Sequence, residues 1–242
     1  PPHSSAASDV YKRQDHQRTP MGDISLRRRL EPTLQIDVFE VKLGEEFLMS
    51  SLFTASEEAV ARLGLAALSG DDLDVVVGGL GLGYTARTAL DDPLVTRLQV
   101  IEALPQVIGW HRDHLVPLGA DLTADPRCSF VHADFFARVA DGIEPGNGGP
   151  RRFDAILVDI DHTPSHLLSS SHAGFYQPAG LARLHAQLRP AGVFALWSDD
   201  PPDAGFVATL EQVCSSVEPH VAEFANFSPG GRSACTVYVA MR

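Results

Sequence analysis

Cysteine is scarce in this chain and carries no pattern. There are three in 242 residues, and Cys128, Cys214 and Cys235 are widely separated with no C-x-x-C pair. That excludes a disulfide framework and a zinc knuckle, and it fits a reducing, cytoplasmic setting. Positive charge is also short: 19 Lys and Arg stand against 31 Asp and Glu, for a net charge of −12. No basic block or basic-aromatic interleaving occurs, so binding to nucleic-acid phosphates is excluded. An acidic surface suits a cationic small substrate, although it also serves plain solubility. No apolar run is long enough to cross a membrane, and a soluble protein is expected. No G-x-S-x-G elbow surrounds the run Ser169-Ser170-Ser171-His172, which reads as a loop over the site. His111 and His114 lie three apart and His162 and His166 four apart, but no third ligand follows at a metal-binding spacing. No metal is expected. The opening PPHSSAASDVYKRQ lacks the apolar core of a signal peptide. Residues 1–18 are expected to be a disordered or non-native leader outside the fold.

What the chain does have is apolar content, 44% of its residues, enough for a sizeable core. From Met21 to Gly44 short strands alternate with turns, ISLRRRL and then LQIDVFEVKLG, with Gly44 closing a hairpin. SEEAVARLGLAAL over 56–68 predicts a helix with Ser56 as N-cap and two acids in its first turn. A small β region with a helix, residues 19–70, therefore precedes a main domain over 71–242. In that domain strands at 75–77, 98–101, 128–132, 153–158 and 193–197 alternate with helices after Gly83 and at 107–115, 135–139, 181–188 and 205–215. Arg189-Pro190-Ala191-Gly192 is expected to end the 181–188 helix, and EPGNGGPRR reads as a glycine-rich loop. VAEFANF and ACTVYVAM complete the strands. Strict alternation predicts an α/β fold, a Rossmann-like doubly wound sheet with a small N-terminal β region.

The densest signal is LDVVVGGLGLGYTAR over 73–87, followed by Glu102 in LQVIEAL. An apolar strand ends in glycines, a helix follows, and a second strand ends in an acid that can hold ribose hydroxyls. Gly81-Leu82-Gly83-Tyr84-Thr85-Ala86 fits the dinucleotide fingerprint G-x-G-x-x-A. It fits equally the looser glycine loop of S-adenosylmethionine (AdoMet) enzymes. Ligands of such sheets lie beyond the carboxyl ends of the strands. Those ends carry Gly78–Gly83, Glu102, Asp134, Asp159-Ile160-Asp161 and Trp197-Ser198-Asp199-Asp200. So much carboxylate suits a sulfonium or amine better than a pyrophosphate.

VVVGGLGLG, VIEAL, HADFF and above all FDAILVDIDHTP resemble the spermidine synthase family, polyamine aminopropyltransferases built on the AdoMet-dependent methyltransferase fold. The resemblance runs from about Met21 to the C-terminus. It implies that the loop with Gly78, Gly79, Gly81 and Gly83 faces the nucleoside and amino-acid part of the ligand. It further implies that Glu102 binds the ribose hydroxyls and Asp134 the adenine amine. Asp159 takes the catalytic acid position with Asp161 beside it, and Asp199 contacts the amine substrate. Members commonly form homodimers. Three departures stand out. The family loop reads G-G-G-D-G-G, and its Asp position is Gly81 here. The run D-S-S-D-P becomes Asp159-Ile160-Asp161-His162. Ser56-Glu57-Glu58 stands where the family has a tyrosine-rich helix.

Transfer from a sulfonium requires an aligned, unprotonated amine, so a carboxylate base and a second carboxylate for a distal ammonium are useful. Asp159 as base and Asp161 as cation holder meet that need. Alternatives stay open at several positions: Asp161 as a turn or helix cap, Asp134 as N-cap of the helix at Phe135, and Asp199-Asp200 as a turn. Tyr84 either stacks on a ligand or packs under the loop. The donor is AdoMet or decarboxylated AdoMet. The function is aminopropyl transfer to an amine, with methyl transfer to a small molecule, NAD-dependent oxidoreduction, or a non-catalytic nucleoside-binding homologue as alternatives.

Overall fold

A computed structural model describes residues 11–144, 152–225 and 231–242. Four strands, β1 (Tyr11–Thr19), β2 (Gly22–Glu31), β3 (Ile36–Leu43) and β4 (Glu46–Ser50), form an antiparallel sheet in sequence order. Gly44, at φ 59°, turns β3 into β4, as its place at the end of the apolar run predicts. The N-terminal end departs from expectation. Residues 11–18, expected to belong to a leader, pair with β2 as part of β1, and Asp15 accepts the indole N–H of buried Trp110 at 2.7 Å. The strand is polar throughout, so it shows no alternation to read; its place comes from backbone pairing and that one anchor.

Helix α1 (Ala55–Ala66) follows. Its N-cap is Thr54, not Ser56; Ser56 lies inside the first turn and donates to Glu57 Oε2. A Cβ on Gly64 would come within 2.7 Å of Leu157 and 2.9 Å of Ala195. The bare glycine lets α1 lie against the main sheet, and this sets the helix's first turn over the strand ends.

That sheet has seven strands in the order β10-β11-β9-β8-β5-β6-β7. They are β5 (Leu73–Gly78), β6 (Val95–Glu102), β7 (Cys128–His132), β8 (Phe153–Val158), β9 (Leu188–Ser198), β10 (Ser216–Ala225) and β11 (Arg232–Met241). The five from β5 to β9 run parallel, and β11 and β10 close the sheet antiparallel. Helices α2 (Tyr84–Asp91), α3 (Pro105–Arg112), α4 (Gly119–Ala124), α5 (Phe135–Asp141), α6 (Pro178–Ala186) and α7 (Ala204–Leu210) make the crossovers. Leu73, Val75, Val76, Val77 and Ile156, Leu157, Val158 are buried on both faces, as continuous apolar runs in a parallel sheet require. The chain builds β6 and β7 on one side of β5 and returns to β8 on the other. The crevice of this sheet therefore opens at the ends of β5 and β8.

Boundaries shift in several places: the helix expected over 107–115 spans Pro105–Arg112, and α4 falls where none is expected. The helix expected over 181–188 starts at Pro178, where a proline suits the first turn, and Arg189–Gly192 belongs to β9. Pairing with β8 jumps from Phe153↔Leu188 to Ala155↔Val193, so Arg189–Gly192 bulges out, with Ala191 at φ 60°. The helix expected to run to Ser215 ends at Leu210. The EPGNGGPRR loop lies largely outside the described residues, as do Asn226 and Phe227. No described helix is long and apolar enough to cross a membrane.

Candidate active site

A cavity of about 850 Å³ opens above the ends of β5, β6 and β8 and is roofed by the N-terminal sheet and α1. Its size suits a nucleoside with an extended tail. Apolar side chains make most of the wall, among them Leu48, Met49, Ile101, Leu104, Phe135 and Trp197. Five acids break it: Glu57, Glu102, Asp134, Asp159 and Asp199. Among the described lining residues there is no Lys or Arg.

The glycine loop is shaped by what presses on it. Gly79 has φ 93°, and a Cβ there would lie 2.3 Å from the Asp159 carbonyl; the strand ends meet too closely for a side chain. Gly81 has φ 49°, and its Cβ would fall 2.3 Å from Met49 Cε. The Met49 thioether also accepts the Leu82 N–H at 3.1 Å. From below, buried His111 donates Nε2–H to the Gly81 carbonyl at 2.9 Å, and burial pushes its pKa down to about 4, so the ring is neutral. The histidine of that helical pair thus props the loop. Gly79 and Gly81 reach the cavity wall, while Gly78 and Gly83 lie behind it, against Phe135 and Leu122.

Glu102 ends β6 and accepts the N–H of Leu80 and of Leu104 at 2.9 and 2.8 Å. Burial raises its pKa against these backbone donors. The glutamate ties the glycine loop to its own strand and still faces the cavity, where its remaining lone pairs can take hydroxyls. Asp134 caps α5 through Oδ1, which accepts from Phe136 N and Ala137 N at 2.8 and 3.2 Å. The N-cap reading of Asp134 holds, and the residue also lines the cavity.

Asp159 lies at the floor beside Glu57 from the first turn of α1. Thr85 Oγ1, carrying one hydrogen, sits 3.2 Å from both Asp159 Oδ2 and the Glu57 carbonyl. Burial pushes the Asp159 pKa up to about 7, and the neighbouring Glu57 charge pushes it the same way. Burial raises Glu57 as well, with Glu58 adding to it. Two carboxylates in a low-dielectric floor resist simultaneous ionisation. This is the arrangement of a group that takes a proton near neutral pH.

Asp161 is not a cation holder. Its side chain is 1% exposed and absent from the cavity wall. It accepts from Leu168 N at 2.7 Å, Tyr176 OH at 2.9 Å and His172 Nδ1 at 2.8 Å. The strand does not continue past Val158, so Asp159 and Asp161, two residues apart, are not held to one side by strand alternation. Asp161 anchors the segment to Tyr176 instead. His172 lies in a short 3₁₀ turn (Ser170–Gly174) and lines the cavity, so this run does cover the site. Tyr84 is outside the wall, packed against the core, with its pKa raised by burial and by Glu57; it packs under the loop. Asp199 is exposed at the rim, its N–H given to the His162 carbonyl at 2.8 Å.

Among the wall residues not foreseen, four bear on the chemistry. Glu57 reads from sequence as an ordinary first-turn acid, and Met49 as one apolar residue among many. His162 occupies the place of the family's second acid, and its Nε2 lies 2.9 Å from Glu46 Oε1. His172 sits in a serine run with no periodicity. The signals available were indirect: His162 within the DIDH run, Glu57 where the family has a tyrosine-rich helix, and His172 at the end of a serine run expected to lie over the site. Among the described residues no cluster of three or more His, Cys, Asp or Glu could hold a metal.

Sheet order, glycine loop and strand-end acids define the class: this is an AdoMet-dependent methyltransferase-like fold with a small antiparallel N-terminal sheet. No family model matches the chain. In sequence it is 29% identical over 164 residues to polyamine aminopropyltransferase 2 of Pseudomonas aeruginosa, covering 64% of this chain and 43% of that protein. It is 30% identical over 127 residues to the polyamine aminopropyltransferase of Prochlorococcus marinus, covering 52% and 40%. The matches thus span less than half the length of these relatives. In structure it overlays spermidine synthase from Thermotoga maritima with a TM-score of 0.70 at 19% identity, over 94% of this chain and 72% of the other. A spermidine synthase in complex with the transition-state analogue AdoDATO gives 0.69 at 19%, with the same coverage. In sequence the chain is thus similar to polyamine aminopropyltransferases, and in fold to spermidine synthases.

Proposed function

We propose that this chain is a spermidine synthase-like transferase that moves an aminopropyl group from decarboxylated AdoMet to a small amine, with Asp159 as general base. The observation that carries this is the cavity wall, which offers five carboxylates and no described Lys or Arg. A sulfonium donor and an amine acceptor both gain from that field, while a pyrophosphate or a donor carboxylate loses. The amine nitrogen attacks the propyl carbon next to sulfur. The N–C bond forms, the C–S bond breaks with its electron pair going to sulfur, and the nitrogen's proton passes to Asp159. Glu57 beside it keeps Asp159 basic enough to accept that proton. Glu102 would take the ribose hydroxyls and Asp134 the adenine amine. Asp199 and His162, at the same rim, would meet the far end of the acceptor.

A second reading, methyl transfer from intact AdoMet, draws on Gly81. The loop acid that the family resemblance assigns to the donor amine is replaced by glycine, and Met49 fills the space. Incubation with each donor and an amine panel, followed by identification of the nucleoside, separates the two. Methylthioadenosine is the expected product; S-adenosylhomocysteine would establish methyl transfer in its place. An NAD-dependent oxidoreductase is disfavoured by the same acid-lined wall, and stabilisation by NADH but not by AdoMet analogues would overturn the proposal. A non-catalytic homologue would bind donor and yield neither product. A soluble, cytoplasmic enzyme without a metal and with a homodimeric state completes the proposal.

A further inference from the structure

His172 is 6% exposed, lines the cavity, and stacks on Phe136 with ring centroids 3.9 Å apart. Its Nδ1 lies 2.8 and 3.0 Å from the two oxygens of Asp161. Asp161 already accepts the Leu168 N–H and the Tyr176 O–H, and burial beside that carboxylate keeps the Tyr176 hydroxyl protonated, hence a donor. Asp161 therefore acts as an acceptor throughout, and Nδ1 supplies the hydrogen. In the neutral ring this leaves Nε2 as a lone pair, with its orientation set by the stack and the carboxylate. Asp134 sits at the same end of the cavity, because its Oδ1 holds the N–H of the very Phe136 on which His172 stacks. Asp134, Phe135, Phe136 and His172 all line the cavity, so this end of it sets two acceptors among aromatic walls, where a flat ring carrying a hydrogen-bond donor could be held by its edge.

We propose that His172 is a specificity-determining residue that, together with Asp134, accepts hydrogens from the exocyclic 6-amino group of the ligand's purine. This rests on the nucleoside reading given under Proposed function. A 6-oxo purine would set its own oxygen against two acceptors, and a site of unpaired polar groups rejects such an analogue. Asp161 acts through His172 and is a positioning residue.

The test uses the full chain and calorimetric binding of 5′-methylthioadenosine against 5′-methylthioinosine. The wild type should prefer the amino compound by at least about tenfold. His172→Phe keeps a ring on Phe136 but removes the acceptor, and its preference should fall about five- to tenfold, the worth of one hydrogen bond. His172→Gln places an amide oxygen near the Nε2 position and should retain most of the preference. An unchanged preference in His172→Phe overturns the proposal while leaving the nucleoside site intact. No binding of methylthioadenosine by the wild type would overturn the nucleoside reading itself. Should the variants fail to fold, the ¹⁵N resonance of His172 Nε2 in the wild type decides. It should shift with methylthioadenosine and not with methylthioinosine, and equal shifts would refute the assignment.

Discussion

Replacing Asp159 by Asn should make the protein more stable above neutral pH while abolishing transfer. Burial and the Glu57 charge raise the Asp159 pKa from 3.8 to about 7. The native state then binds a proton that the unfolded chain has already released, so stability falls as pH rises from about 4 to about 7 and stays lowered above that. At about 1.4 kcal/mol per pH unit, the penalty at pH 8 is about 4 kcal/mol as a ceiling. It comes nearer 2 kcal/mol once access of cavity water to the carboxylate is counted. Asn keeps the shape and can still accept from Thr85, but it carries no charge to desolvate and none to repel Glu57. Urea unfolding of both proteins at pH 5 and pH 8.5 measures the effect. The stability difference should favour the variant by about 2–4 kcal/mol at the higher pH and shrink toward zero at the lower. Wild-type turnover under subsaturating amine should rise with pH through about 7, as a base with that pKa requires. Parallel stability curves for the two proteins would refute the claim that Asp159 is the strained group. A Glu57→Gln variant sharpens the test, because it should move the rise in turnover to lower pH without removing activity.

Two further substitutions probe the wall. Gly81→Asp restores the family's loop acid but places a Cβ against Met49 at φ 49°. It should cost about 2–4 kcal/mol, and a Met49→Ala change in the same chain should recover at least half; thermal unfolding that shows no recovery would mean Met49 does not shape the loop. Asp161→Asn breaks a buried set of three donors and should cost about 2–4 kcal/mol by denaturant unfolding. A variant as stable as the wild type would return Asp161 to the role of substrate carboxylate.

The sequence alone determined the alternation of the main domain, the glycine loop and the strand-end acids, because those signals are local. Apolar runs bounded by Gly, and an acid at or within two residues of a strand end, reflect backbone periodicity and strand termini that tertiary packing does not move. Glu102, Asp134 and Asp159 could be placed on that basis, and the cavity gathers them. Other features depend on contacts far along the chain. Asp161 lies two residues from Asp159 but turns inward because His172 and Tyr176, 11 and 15 residues on, offer it better partners than solvent does. Glu57 joins Asp159 across 102 residues only because Gly64 lets α1 lie on β8 and β9. Met49 reaches the glycine loop from another sheet. Local spacing decided where acids could stand; the tertiary structure decided which of them face a ligand, since desolvation and the competition for hydrogen bonds are settled only when distant segments meet.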